Sequence, residues 1–362
     1  IAYAYAGSRA GIKSIIAVKK LSPDGTKTLD EGTIVYDGHA QDPTIEGPKF
    51  YKRNVYYYIM PPAGGVATGW QLILRSKNIY GPYERHVAME QGKTPINGPH
   101  QGGWIDTQTG EDWFIHFQDK DAYGRVVHLQ PMQWVNDWPV IGHDAKGTGT
   151  GEPVLTHKKP NVGQTYPIQT PVESDEFNNL TLGKQWQWQA NPKATWSFHY
   201  PEKGVLRLYT QQIPDSARNL WDVPNVLLQK FPTEEFVATT KVSFTPNEKI
   251  HGEKTGLVIM GQSYAIYAVY GEAINANKGA KEIEHVITKL NNKTLYLRVN
   301  VSKGASCKFS YSEDGRKFQN VGNAFKATPG QWIGAKIGLF STRAAQINDS
   351  GWGDYDWFRI EK

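Results

Sequence analysis

Pro43-Thr-Ile-Glu-Gly-Pro-Lys-Phe-Tyr-Lys-Arg-Asn-Val-Tyr-Tyr-Tyr-Ile59 places one carboxylate, Glu46, in a Glu-Gly-Pro turn directly before a run of aromatic and β-branched residues. Gly47 and Pro48 fit a tight corner, and Val55 to Ile59 has the composition of a buried strand. A carboxyl group held at a strand mouth and ringed by aromatics loses solvation, which raises its pKa and suits it to donate a proton near neutral pH. The alternative is a glutamate that only caps the turn. Both readings stand on the residues alone.

The rest of the chain is consistent with an all-β protein. Its 362 residues are enough for two domains, and 36 Gly, 21 Pro, 12 Trp and 19 Tyr point to many short strands, frequent turns and flat aromatic surfaces. No long helical period is visible and no apolar run approaches a membrane span, so a membrane role is not expected. The net charge of +5 is spread thinly, which argues against nucleic-acid binding. The single cysteine, Cys307, excludes an intrachain disulfide and reads as a buried filler. Asn-x-Ser/Thr triplets at Asn179, Asn292, Asn300 and Asn348 do not by themselves fix a source.

Turn signals recur along the first half. Ser22-Pro-Asp-Gly-Thr separates Ile15-Ile-Ala-Val-Lys from Thr33-Ile-Val-Tyr, and Lys13 to Leu21 alternates in part, as a half-buried strand does. Asp24, Asp30, Asp37 and Asp42 read as residues of turns and strand ends. Asn97-Gly-Pro-His-Gln-Gly-Gly-Trp, Asp112-Trp-Phe-Ile-His-Phe and Tyr123-Gly-Arg-Val-Val-His-Leu-Gln form three further strand-like pieces. His116 and His128 fall on strand positions and look structural. Residues 151–174 are rich in Gly, Pro and Thr and read as a linker. Beyond it, Leu295, Leu297, Val299 and Val301 alternate with Tyr296, Arg298 and Asn300, and Asp314-Gly315 marks a hairpin apex, so residues 175–362 are expected to form a β-sandwich.

The segment from Thr44 to Ile59, then Pro62-Ala-Gly-Gly-Val, then Leu74-Arg-Ser-Lys-Asn-Ile-Tyr-Gly-Pro-Tyr-Glu, resembles glycoside hydrolase family 43. The resemblance implies a five-bladed β-propeller with the active site at its central opening, and Glu46 as the general acid. It also implies that residues 1–150 are the C-terminal part of the propeller, roughly three of five blades. In the family, residues preceding this region supply an aspartate as general base and a second aspartate that tunes the acid. An N-terminal propeller segment is therefore the expected partner.

The same resemblance gives Arg125, in Tyr-Gly-Arg-x-x-x-Leu-Gln, the task of holding substrate hydroxyls beside the acid, for which a guanidinium fork is suited. His100 corresponds to a histidine near a hydrated cation on the propeller axis, a candidate ligand for Ca2+. Many members have Thr at the position of Val66 and His where Trp70 stands, departures that bear on sugar preference and lean toward arabinofuranosides. Trp70 itself reads as a stacking platform for substrate or as packing between blades.

Asp-Glu-Phe at 175–177, Gly-Leu-Val-Ile-Met at 256–260 and Gly-Asp-Tyr-Asp-Trp-Phe at 353–358 resemble the concanavalin A-like, lectin-like (jelly-roll) sandwich appended to family-43 β-xylosidases, and imply Asp175 and Asp356 as candidate ligands for a structural Ca2+. The function implied is exo-acting, inverting hydrolysis of terminal pentosides of plant cell-wall polysaccharides or oligosaccharides, by an α-L-arabinofuranosidase or a β-xylosidase, with no organic cofactor. A polymeric glycan substrate favours a secreted or periplasmic enzyme. A carbohydrate-binding protein without turnover is the alternative.

Overall fold

The computed structural model describes residues 1–250, 252–268, 271–277, 284–285, 294–344 and 348–362. Asn292, of the four triplets, lies outside them. The chain divides into two compact units, Ile1–Asp119 with Arg125–Pro167, and Lys120–Gly124 with Ile168–Lys362. Among the described residues no helix is long and apolar enough to cross a membrane.

The first unit contains three successive antiparallel sheets, the arrangement of propeller blades. Strands β1 (Ala2–Ala4), β2 (Ile15–Val18) and β3 (Thr33–Asp37) form the first. β2 is its central strand and is buried on both faces, from Ile15 to Val18, where partial alternation had implied a half-buried strand. The second sheet comprises β4 (Lys49–Arg53), β5 (Tyr56–Met60), β6 (Pro62–Ala63), β7 (Trp70–Ser76) and β8 (Glu84–Met89). The third runs β9 (His100–Asp106), β10 (Asp112–Asp119), β11 (Arg125–Val135) and β12 (Trp138–Ile141), each paired with the next.

Val55 does not belong to the buried strand. Arg53 pairs with Tyr56, so Asn54 and Val55 make a two-residue hairpin turn, with Asn54 at φ 53° and Val55 63% exposed. Asparagine tolerates this left-handed backbone, which is why the turn forms there. Asn136 and Asp137 form a second two-residue turn, between β11 and β12, and both have positive φ. Arg75 donates to the carbonyls of both turn residues, bonds Glu84, and lies 3.9 Å over the Trp138 ring. Arg53 and Asn54 donate to Asp137 Oδ1, and the Tyr58 hydroxyl to its carbonyl. The Arg-Ser…Gly-Pro-Tyr-Glu run thus fastens the second sheet to the third.

The second unit is a sandwich of two sheets. One runs Ser197–Tyr200, Val205–Tyr209, Trp352–Glu361, Phe236–Thr245, Thr294–Ser302, Ser306–Ser312 and Gln319–Lys326. The other is centred on Leu227–Lys230, Lys336–Arg343 and Lys254–Met260. Leu206, Val242, Leu295 and Leu297 of the first meet Leu227, Leu257, Ile337 and Leu339 of the second in one core. The alternation read at 295–301 is realised, with Leu295, Leu297, Val299 and Val301 all buried. Cys307 joins that core, and burial pushes its thiol up to about 12. Asp314 sits at the hairpin apex, where backbone N–H groups of Lys317 and Arg316 and the Ser312 hydroxyl hold its carboxyl at about 2. Leu297→Ala is expected to destabilise the sandwich by about 2–5 kcal/mol, because a fully buried leucine leaves a cavity that close-packed sheets fill poorly. Chemical denaturation followed by tryptophan fluorescence measures it.

Candidate functional site

The turn carrying Glu46 is pinned on both sides. Its own N–H donates to the Pro62 carbonyl, and the Gly64 N–H to the Pro43 carbonyl, so the start of the turn pairs with β6 and the loop after it. Upstream, the Ile45 N–H meets the Asp42 carbonyl and the Thr44 N–H meets the Ser14 hydroxyl. Gly47 has φ 50°, a conformation glycine adopts at little cost, and a Cβ there would lie 2.0 Å from the Gln101 side-chain oxygen.

The Glu46 side chain is 51% exposed, and its Oε1 has two partners. His100 Nε2 lies 3.2 Å away and Gln101 Nε2 donates across 3.1 Å. His100, the first residue of β9, is only 1% exposed. Its ring meets Phe117 of β10 edge-on at 5.8 Å, and the Arg125 guanidinium lies 4.7 Å over that same Phe117 ring. Arg125 opens β11 opposite Asp119, so the β10–β11 hairpin brings it to the acid's side of the blade.

The expectation of a raised pKa at Glu46 is overturned. The hydrogen bond from His100 lowers it; desolvation works the other way, but attraction to His100, the Gln101 bond and the Arg125 charge reinforce the lowering. All three neighbours favour the ionised form, which outweighs the half-burial that the aromatic run implied.

Trp70 is tied into the scaffold. Its Nε1 donates to Asp42 Oδ1 at 3.1 Å, and its ring lies so close to Gly64 that a Cβ there would come within 2.5 Å. These contacts favour the packing alternative. The acceptor, Asp42, lies in a turn as read, and it is fully buried there. Arg85 grips both of its oxygens, at 2.6 and 2.7 Å, and the Tyr36 hydroxyl donates as well.

The calcium positions do not assemble. Asp175 accepts from the Phe177 N–H and from Trp186 Nε1, and Asp356 is paired with Lys241. Their neighbours are likewise spent, Glu176 on Arg359 and Asp354 on Arg207. His100 keeps a buried, partnerless Nδ1, which offers one protein ligand to a cation whose remaining shell is water. Among the described residues no group of three or more His, Cys, Asp or Glu could hold a metal ion. As placed, Asp175 and Asp356 are engaged separately and do not form one calcium centre of protein ligands. His116 and His128 stack at 5.4 Å, and burial pushes His116 down to about 4, which suits a neutral structural imidazole.

Glu46, His100 and Arg125 are thus brought together, while Trp70, Asp175 and Asp356 are elsewhere engaged. Gln101 and Asp42 were missed. Gln101 directly follows His100 in the Gly-Pro-His-Gln motif, and Asp42 stands four residues before the acid, but neither position signals its contact partners.

Comparison with known proteins covers both units. Residues 2–139 match "Glycosyl hydrolases family 43", and residues 174–361 match "Beta xylosidase C-terminal Concanavalin A-like domain". A "Putative beta-xylosidase" of Xylanibacter ruminicola is 41% identical over 94% of this chain, and a "Beta-xylosidase" of Formosa agariphila is 31% identical over 95%. The chain spans 62% and 63% of the lengths of these two relatives. A "Non-reducing end alpha-L-arabinofuranosidase" of Bacteroides ovatus is 30% identical over 59% of this chain and 41% of its own length. The crystal structure of a xylan beta-1,4-xylosidase from Bacillus halodurans shares the fold, with a TM-score of 0.84 at 20% identity, over 100% of this chain and 73% of that one. The chain belongs to glycosyl hydrolases family 43, with propeller blades followed by the concanavalin A-like sandwich of β-xylosidases.

Proposed function

We propose that this chain carries the acid half of an exo-acting, inverting glycosidase that releases terminal pentoses from xylan-type glycans. Glu46 protonates the glycosidic oxygen as the bond from that oxygen to the anomeric carbon breaks. A water attacks the opposite face and gives its proton to a second carboxylate. Oε1 of Glu46 bonds His100 and Gln101, and we assign the base, as the family-43 resemblance implies, to a carboxylate outside this sequence, far enough from Glu46 to leave room for the attacking water. The same source supplies a negative charge that returns Glu46 to its protonated form, since its partners here favour the ionised one. Arg125 holds sugar hydroxyls beside the acid.

The observation that carries the reading is a half-exposed carboxyl fixed through one oxygen beside an exposed arginine. The names of the relatives favour a xyloside over the arabinofuranoside to which the Val66 and Trp70 departures leaned, and Trp70 is committed to Asp42.

The test is hydrolysis of xylobiose and of nitrophenyl xyloside and arabinofuranoside by the full-length protein, with proton NMR of the first-formed anomer. Release of a terminal pentose with inverted configuration is expected. Binding without turnover supports the carbohydrate-binding alternative instead. Arg125→Ala should raise KM about tenfold or more, the worth of a charged hydrogen bond, with steady-state kinetics as the measurement.

A further inference from the structure

The geometry points to Gln101 as a positioning residue that divides the labour of the two Glu46 oxygens, holding Oε1 as an acceptor so that Oε2 carries and delivers the proton. This rests on the hydrolase reading above. In a regular strand, consecutive side chains point to opposite faces, so His100 and Gln101 should not reach the same atom. They do, at 3.2 and 3.1 Å from Glu46 Oε1. Two features of the backbone make this possible. Gln101 adopts φ 52°, a left-handed conformation unusual for a residue with a side chain. The pairing of β9 with β10 also shifts register here: Gly103 faces Ile115 while His100 faces Phe117, so the extra residue is taken up as a bulge. Bulges re-aim side chains, and strained backbone persists where the surroundings hold it.

The Gln101 amide is itself oriented. Lys49 Nζ lies 3.5 Å from its Oε1 and donates to the Gly47 carbonyl at 2.8 Å, which leaves the amide nitrogen turned toward the acid. Gly47 opens the space, since any Cβ there would overlap the Gln101 side chain. With Oε1 accepting two N–H groups, it serves as the carbonyl oxygen of the protonated acid and as one oxygen of the carboxylate after transfer. Neither donor has to move during the step. Among the described residues Oε2 has no hydrogen-bond partner, and it is the oxygen left to face a leaving group. When the proton passes from Oε2 to the glycosidic oxygen, the electron pair stays on Glu46 and the negative charge forms against donors already in place.

The experiment compares Gln101→Met with the unaltered full-length protein on two substrates, xylobiose, whose leaving group needs the proton, and 2,4-dinitrophenyl xyloside, whose leaving group does not. About a tenfold loss of kcat on xylobiose is expected, with KM held and less than a threefold loss on the dinitrophenyl substrate. Equal losses on both substrates, or none on either, overturn the assignment. Should Gln101→Met fold poorly by circular dichroism, Lys49→Met provides the second variant; a smaller loss confined to xylobiose supports the proposal, and an unselective one or none overturns it. If Glu46→Gln itself shows no preference between the substrates, the acid reading falls, and the fault lies there rather than with Gln101.

Discussion

Glu46→Gln in the full-length protein is expected to lower kcat on xylobiose by about a hundredfold to ten-thousandfold, the range that a positioned proton donor contributes. On 2,4-dinitrophenyl xyloside the loss should be small, because that leaving group departs as a stable anion without protonation. Glutamine keeps the size of the side chain and can still accept from His100 and Gln101 through its oxygen, so the substitution removes the proton with little change in packing. Its pH behaviour is equally specific. A general acid works only while protonated, so activity falls as pH rises through its pKa. Within this chain His100, Gln101 and Arg125 move that pKa down, which brings the alkaline limb to lower pH. A carboxylate supplied beside Glu46 moves the limb up, and the position of the limb in full-length protein reads out which influence prevails. In Glu46→Gln the limb should vanish. Wild-type rates on xylobiose from the variant would end the proposal for this residue.

The same residue shows what a sequence can disclose and what it withholds. The Glu-Gly-Pro turn and the aromatic run after it are local, and they marked Glu46 as the candidate and the strand that follows it. The direction of its titration is not local. Its two hydrogen-bond partners stand 54 and 55 residues further along the chain, and burial without those partners implies the opposite sign. Gln101 was hidden for a related reason. Strict alternation places it on the face opposite His100, and only a bulge and a left-handed φ bring both to one oxygen. The sandwich was easier to read, since Leu295 to Val301 carry its inward face in plain period-two order. Nor does the sequence show what Asp175 and Asp356 bond: the Trp186 indole N–H in one case and the Lys241 amine of a neighbouring strand in the other. Val55 was misread because composition does not separate the last residue of a turn from the first of a strand.

Asp42→Ala is expected to destabilise the first unit by about 3 kcal/mol, the lower end of the range for breaking a buried ion pair from one side. The carboxylate is 0% exposed and receives two bonds from Arg85, one from Tyr36 and one from Trp70. Its removal strands three donors at once. The lower end is appropriate because the Arg85 side chain is 31% exposed and recovers some hydration. For a unit of this size, that corresponds to a fall of roughly 6–12 °C in melting temperature, measurable by circular dichroism or calorimetry. The effect carries a pH signature. Burial raises the pKa of Asp42, but the hydrogen bonds from Arg85, Tyr36 and Trp70 and the charge of Arg85 overcome it and hold the carboxyl below its ordinary 3.8. A depressed carboxylate contributes stability that is complete above its unfolded value and disappears as pH falls through the folded one. The difference in melting temperature between the unaltered protein and Asp42→Ala should therefore be largest above about pH 5 and shrink as acid is added. Activity should fall with stability, because the Asp42 carbonyl accepts from Ile45, the residue before the acid, and a loosened Asp42 frees the turn that aims Glu46. A melting temperature within about 2 °C of the unaltered protein would show that the buried carboxylate is not what fastens this turn.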